Sequence, residues 1–312
     1  MDFSLQFDIP KVDFSVEHGE GLLFIGSCFS DEIASRAKFA GLNVSSNPFG
    51  TIFHPSLIAQ FISESIECKN SERLFTREDL HLSWDANSTI YDFSETELKD
   101  KLSELRADFI SQLKTAKALF ITFGTSWVYR LISDNQLVAN CHKVASNQFQ
   151  KELSTVEELT SEWIKVIEQL KVFNPDLNVI FTVSPVRHSK DGLVENNQSK
   201  AILIETIRRL QSTTDCSYFS SYEIMIDELR DYRFFKQDRV HPSEEAVDYI
   251  WKRFESTYFS KETIDLNSKV VQLRRSLLHK SIHEDSLENI SRKENLDVKI
   301  ACFLNQHKNV FW

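Results

Sequence analysis

No stripe of lysine or arginine runs through this sequence. Its 312 residues carry 36 basic and 46 acidic side chains and a net charge of -10, which argues against a nucleic-acid surface or an anionic membrane as main partner and for a small or neutral substrate. Cysteines are few and scattered. The five, Cys28, Cys68, Cys141, Cys216 and Cys302, are odd in number and lack framework spacing, so reduced thiols in the cytoplasm are expected rather than a disulfide scaffold. The amino terminus, MDFSLQFDIPKVDF, has early acids and no long apolar run, so neither a secretory signal nor a spanning helix is expected. Repeats and low-complexity tracts are missing as well. What is present is apolar: 41% hydrophobic residues, with 24 Phe and 5 Trp, enough for one large core or a domain with an appendage.

The apolar run Leu22 to Ile25 is short and bounded by glycines, which suits a buried strand; Asp31 to Ala40, closed by Gly41, reads as the following helix. Ala118 to Phe123 and Asn178 to Val183 repeat the strand pattern, each ending in small residues. Amphipathic helical patterns cover Glu95 to Thr115, Val156 to Phe173 and Gln198 to Ser212. Strand–helix alternation of this kind predicts an α/β fold, a three-layer α/β/α sandwich around a central parallel sheet. Ligands of such sheets bind beyond the carboxyl ends of the strands. That rule places Gly26-Ser27-Cys28, Gly124-Thr125-Ser126 and Ser184-Pro185 on one rim.

LHLSWDANSTIYDF and WVYRLISDNQLVANCHK alternate around Asp85-Ala86-Asn87 and Ser133-Asp134-Asn135, which predicts hairpin insertions walling a pocket. Beyond about Ser260 the chain turns charged and helical, with helices expected at Asn267 to Lys280 and Ser286 to Gln306. The expected division is a domain over 1–258 and a helical extension over 259–312, through which an oligomer could form.

A serine on a strand-to-helix turn gains an exposed hydroxyl and nearby backbone N–H groups able to hold an oxyanion, and Ser27 occupies such a turn; it could equally be a helix cap. Asp238, three residues before His241 in DRVHPS, can accept the imidazole Nδ1–H while Nε2 faces a hydroxyl, or the segment is a loop capped by Ser243. Cys28 beside a helix start is an alternative nucleophile or a small buried residue. Gly50 in NPFG and Gly124-Thr125-Ser126 have turn readings beside functional ones. Asn140, His142, Arg187, His188 and Asn197 are candidate pocket-lining residues; Arg187 suits a carboxylate or phosphate, or a salt bridge. No metal site is expected around Cys141 and His142, which on a strand face opposite ways. YRFF and DYIWKRF are expected to pack in the core.

GSCFS, NPFGTIFHP, ITFGTSWVY, VANCHK, TVSPVRHSKDG, SYEIMIDELRDYRFF and DRVHPS, in this order over roughly residues 20 to 258, resemble the GSCFA-domain proteins of the SGNH/GDSL-type hydrolase superfamily. The resemblance implies an SGNH hydrolase-like, flavodoxin-like sandwich and a serine esterase without cofactors, acting on an O-acyl group of a small molecule or carbohydrate. It assigns Ser27 as nucleophile, His241 as base and Asp238 as its orienting carboxylate. The N–H groups of Ser27 and Gly50 would form the oxyanion hole, with Thr125 or Ser126, or Asn140, replacing the third-block asparagine. An acyltransferase with the same site, or a non-catalytic binding module, are the alternatives.

Overall fold

The computed structural model describes residues 5–69, 73–279 and 286–312. Lys280, the expected end of the first tail helix, and residues 1–4 of the amino-terminal stretch lie outside the described residues. The chain begins with β1 (Gly21–Gly26), α1 (Cys28–Phe39), β2 (Asn43–Ser46), α2 (Pro55–Ile66), β3 (Leu74–Arg77), β4 (Leu80–Ser83) and α3 (Glu95–Leu113). Next come β5 (Ala116–Phe123), β6 (Trp127–Leu131), β7 (Gln136–Val138), β8 (Phe149–Leu153), α4 (Val156–Phe173), β9 (Asn178–Val183) and α5 (Leu193–Thr213). The last are β10 (Ser217–Tyr218), α6 (Ser221–Glu223), α7 (Glu244–Tyr258), α8 (Lys261–Leu278) and α9 (Leu287–Gln306).

Five strands pair in parallel in the order β10-β9-β5-β1-β2. Each central strand sends alternate side chains to opposite faces, as a two-residue period demands. Leu23, Ile25, Leu119, Ile121, Val179 and Phe181 join one buried cluster with α2 to α5, whereas Leu22, Phe24, Ala118, Phe120 and Ile180 join another with α1 and α7. This is the expected three-layer α/β/α sandwich. The chain winds outward in both directions from β1 and β5, so a crevice opens at their carboxyl ends, where the two windings part.

Over that end lies an antiparallel sheet, β7-β6-β8, whose β6–β7 turn is the expected one at Ser133 to Asn135. The other insertion pairs differently from its sequence reading. Its hairpin joins β3 to β4 across Glu78, with φ 57, while Asp85 to Asn87 is followed only by a single bridge between His81 and Asp92. α1 also starts three residues earlier than its apolar periodicity indicates, because Ser27 caps it. The tail returns to α1: Val270 of α8 is buried, and Phe311 N–H donates to the Gly41 carbonyl at 2.9 Å. No helix among the described residues is long and apolar enough to cross a membrane.

Candidate active site

The turn after β1 is built so tightly that only glycine fits its first position. Gly26 has φ 128, and a Cβ there would meet the Thr122 carbonyl oxygen at 2.1 Å. Its N–H donates to Asn47 Oδ1 at 2.8 Å and its carbonyl accepts from Ile52 N–H at 3.0 Å. Ser27 is equally committed. It is 1% exposed, its N–H donates to the Thr122 carbonyl at 3.1 Å, and its Oγ accepts the Phe29 N–H at 3.3 Å as the cap of α1. The next residue differs. Cys28, the first residue of α1, is half-buried and lines a cavity of about 510 Å³ beyond the strand ends, which Ser27 does not reach. By position the Cys28 N–H has no intrahelical acceptor.

His241 lines the same cavity. Its Nδ1 donates to Asp238 Oδ2 at 2.7 Å, which leaves Nε2 as the nitrogen able to accept a proton. Asp238 Oδ1 accepts the N–H groups of Val240 and His241 at 2.9 and 3.0 Å. The His241 bond, then these two backbone bonds, hold the Asp238 carboxyl far below the usual carboxylate range. Arg239 bridges the turn with φ 60, and its carbonyl accepts Arg187 Nη1 at 2.9 Å. Arg187 lines the cavity, lies over the Phe235 ring at 4.0 Å and pairs with no carboxylate among the described residues, so the salt-bridge reading fails and a loop clamp takes its place.

Several sequence-derived assignments need correction. Gly50 does not line the cavity: its N–H closes a turn onto the Asn47 carbonyl at 2.8 Å with φ 71, the conformation that suits glycine. The Ser27 N–H is likewise spent on Thr122, so neither proposed oxyanion donor is free. Ser126 is fully buried, its N–H donating to Ser199 Oγ at 2.7 Å. Thr125 does line the cavity, although its N–H is held by the Phe53 carbonyl and its Oγ1 accepts the Trp127 N–H. Asn140 and Cys141 line the cavity, whereas His142 is buried, its Nε2 donating to the Ser83 carbonyl at 2.8 Å. The Asn140–Lys143 stretch is a turn rather than a strand, with His142 and Lys143 at positive φ. Asn197 is exposed away from the cavity; its neighbour Asn196 does the structural work, accepting the His188 N–H at 2.9 Å. Of YRFF, Phe235 is core as expected while Tyr232 is exposed, and Trp251 and Phe254 of DYIWKRF are core.

Two buried bases, His54 and Lys200, and a half-buried one, His188, lie in this part of the molecule. Burial pushes His188, a lining residue, down to about 4, with Lys200 and His241 adding to the effect, and pushes His54 down to about 3, so both are neutral near pH 7. Lys200 escaped the sequence reading. It sits on the apolar stripe of α5 with Ser199, Leu203, Ile207 and Leu210, and a lysine in phase with such a stripe was the available signal. The Cys28 thiol is pushed up, chiefly by burial and then by Asp31 and Glu32, while its own N–H and Lys200 act the other way.

Among solved structures the chain is similar to a carbohydrate esterase family 3 protein from Talaromyces cellulolyticus, at 6% identity and TM-score 0.36 over 80% of this chain and 99% of that one. A GDSL-like lipase from Parabacteroides merdae matches at 11% and 0.41 over 82% and 100%, and an acetyl-xylooligosaccharide esterase from Geobacillus Stearmophilus at 15% and 0.38 over 78% and 96%. The sheet order, rather than these distant likenesses, fixes the architecture. No curated protein matches the sequence. A model of the GSCFA family matches residues 21–254, the stretch from β1 into α7 that carries both the Cys28 turn and the Asp238–His241 loop, and the chain therefore belongs to the GSCFA family.

Proposed function

We propose that this protein is an ester hydrolase whose nucleophile is the thiol of Cys28 instead of the hydroxyl of Ser27. The observation that carries the reading is that Cys28 and His241, from opposite ends of the chain, line one cavity, while Ser27 is enclosed by its own helix cap. His241 Nε2 takes the thiol proton and the sulfur attacks the ester carbonyl. The C–O bond breaks, the leaving alcohol receives the proton from His241, and an acyl-thioester remains on Cys28. Water then attacks that thioester, giving its proton to His241; the C–S bond breaks and the thiol is restored. Asp238 holds the ring in the tautomer this sequence requires. The Cys28 N–H at the start of α1 is the donor supported for the oxyanion. A cavity of about 510 Å³ suits a small-molecule or carbohydrate ester.

Hydrolysis of short p-nitrophenyl esters tests this directly. Activity should be lost on treatment with iodoacetamide, with the label on Cys28, and should survive Ser27→Ala. An activity insensitive to iodoacetamide, labelled by a fluorophosphonate at Ser27 and lost in Ser27→Ala, would return the nucleophile to the serine.

A further inference from the structure

Free hydrogen-bond donors line the cavity beyond the strand ends, while acceptors beside them are already taken. Arg187 and Lys190, from the segment after β9, both belong to its wall, and neither pairs with a carboxylate among the described residues. Asp191, the only Asp or Glu in that wall among the described residues, is engaged with Lys151 of β8 at 2.5 Å. Asn140 has its amide oriented by its neighbours: Oδ1 accepts the His142 N–H at 2.7 Å and the Ser88 hydroxyl at 2.9 Å, so Nδ2 is left as an unclaimed donor. Arg187 is half-buried and held in place. Its guanidinium carbon stands 4.0 Å from the Phe235 ring centroid and 5.4 Å from that of Tyr232. Of the guanidinium N–H groups, only one on Nη1 is occupied, by the Arg239 carbonyl at 2.9 Å. In a chain of net charge -10, cations left without acids on one cavity wall mark a place for an anion brought from outside.

We propose that the cavity selects esters that carry a separate ionised oxyanion, a carboxylate or a phosphate, and that Arg187 binds it. The substrate half of this proposal rests on the ester-hydrolase reading; the anion site does not. A guanidinium offers paired N–H groups that match two oxygens of a carboxylate or phosphate, and one already stacked on aromatic rings has little freedom left to lose. Lys190 adds charge without fixed geometry. A neutral ester of the same shape would leave these donors facing a group that cannot use them, which is where discrimination comes from. The site is also tied to the proposed base. Arg187 donates from Nη1 to the Arg239 carbonyl and from its backbone N–H to the Val240 carbonyl at 3.3 Å, so the anion-binding residue and His241 share one turn.

Calorimetric titration of the full chain with p-nitrobenzoate, and with its neutral counterpart p-nitrobenzamide, reads the anion site without turnover; p-nitrophenyl phosphate tells a phosphate preference from a carboxylate one. The better anion should bind about tenfold more tightly than the amide, and Arg187→Gln should remove most of that difference while Arg187→Lys keeps part of it. Equal affinities, or a preference that Arg187→Gln leaves intact, would overturn the proposal. Should Arg187→Gln fail to fold, phenylglyoxal modification of Arg187 in the unchanged protein, mapped by mass spectrometry, decides: slowing by the anion alone supports the site, and slowing by neither ends it. Turnover is compared between the p-nitrophenyl monoester of adipate and p-nitrophenyl hexanoate, which match in length and differ by one carboxylate. Loosening of the Asp238–His241 loop in Arg187→Gln slows both esters alike, whereas loss of an anion site lowers the adipate-to-hexanoate ratio of kcat/KM by about tenfold. Anion binding through Arg187 with neither ester hydrolysed would refute the hydrolase reading and leave the anion site standing; hydrolysis without anion preference in binding would do the reverse.

Discussion

The two halves of the candidate site are held in opposite ways. The turn after β1 is locked by its backbone, the N–H and carbonyl groups of Gly26 and Ser27 all being paired with β5, the NPFG turn, the segment after it or the first turn of α1. The Asp238–His241 loop is more open: its side chains are 47% and 44% exposed, and it is held by Asp238 accepting two backbone N–H groups, by Arg187 donating to the Arg239 and Val240 carbonyls, and by the Lys236 N–H donating to the His241 carbonyl. The position of Cys28 is thus a property of the sheet, whereas that of His241 is a property of a surface turn. On the proposed reading, a rigid Cys28 beside a His241 carried by an accessible loop would let substrate and solvent enter the cavity that both line.

The contrast can be broken most severely at the sulfur. Cys28→Ala is expected to lower ester hydrolysis by at least about 10³-fold, measured as kcat/KM, with the fold intact by circular dichroism. On the exposed side, His241→Gln should cost about 10²–10⁴-fold in kcat and leave the melting temperature nearly unchanged, since its ring is half in water. Gly26→Ala should do the reverse and unfold the locked turn: positive φ and a Cβ at 2.1 Å from a carbonyl oxygen are expected to cost about 3 kcal/mol or more in urea denaturation.

Acid should act on the enclosed bases. The ordinary histidine value of 6.5 applies to the unfolded chain, while His54 and His188 stand at about 3 and about 4 when folded. Below pH 6.5 the unfolded state binds protons that the folded state refuses, so stability falls as pH is lowered from 6.5 toward 4, and further toward 3 for His54. The slope approaches about 1.4 kcal/mol per pH unit for the fully enclosed His54 and less for the partly exposed His188. His54→Asn, which preserves a cap for α2, should flatten the loss between pH 6.5 and 4; an unchanged slope in urea titrations would remove His54 from this account. The smallest effect sharpens the comparison most. Ser27→Ala should cost only about 1 kcal/mol of stability, the value of a helix cap, and change kcat/KM less than tenfold.

Legibility followed the range of the interactions involved. β9 and α4 have the ends their patterns indicate, because two-residue and 3.6-residue periods are local properties. Asp238 and His241 meet because three residues of turn bring them together, a short-range geometry readable from the spacing. The β3–β4 hairpin was misplaced, because Asp85-Ala86-Asn87 has turn chemistry equal to that of Glu78-Asp79 and only pairing with distant residues selects between them. Arg73 makes that choice visible, binding Asp85 and the Leu137 carbonyl across the insertion. Gly50 and Asn197 carried the right residue types in the wrong directions, and direction is decided by packing.

Alternating apolar strands and amphipathic helices by themselves determined a two-faced parallel sheet, since each element had one set of side chains that water would not accept. Whether the hydroxyl at 27 or the sulfur at 28 would face the cavity was beyond that reach. Tertiary structure decided it: Thr122 fixed the turn, the cap enclosed the serine, and the rotation of about 100° to the next helical residue carried the cysteine to the opening.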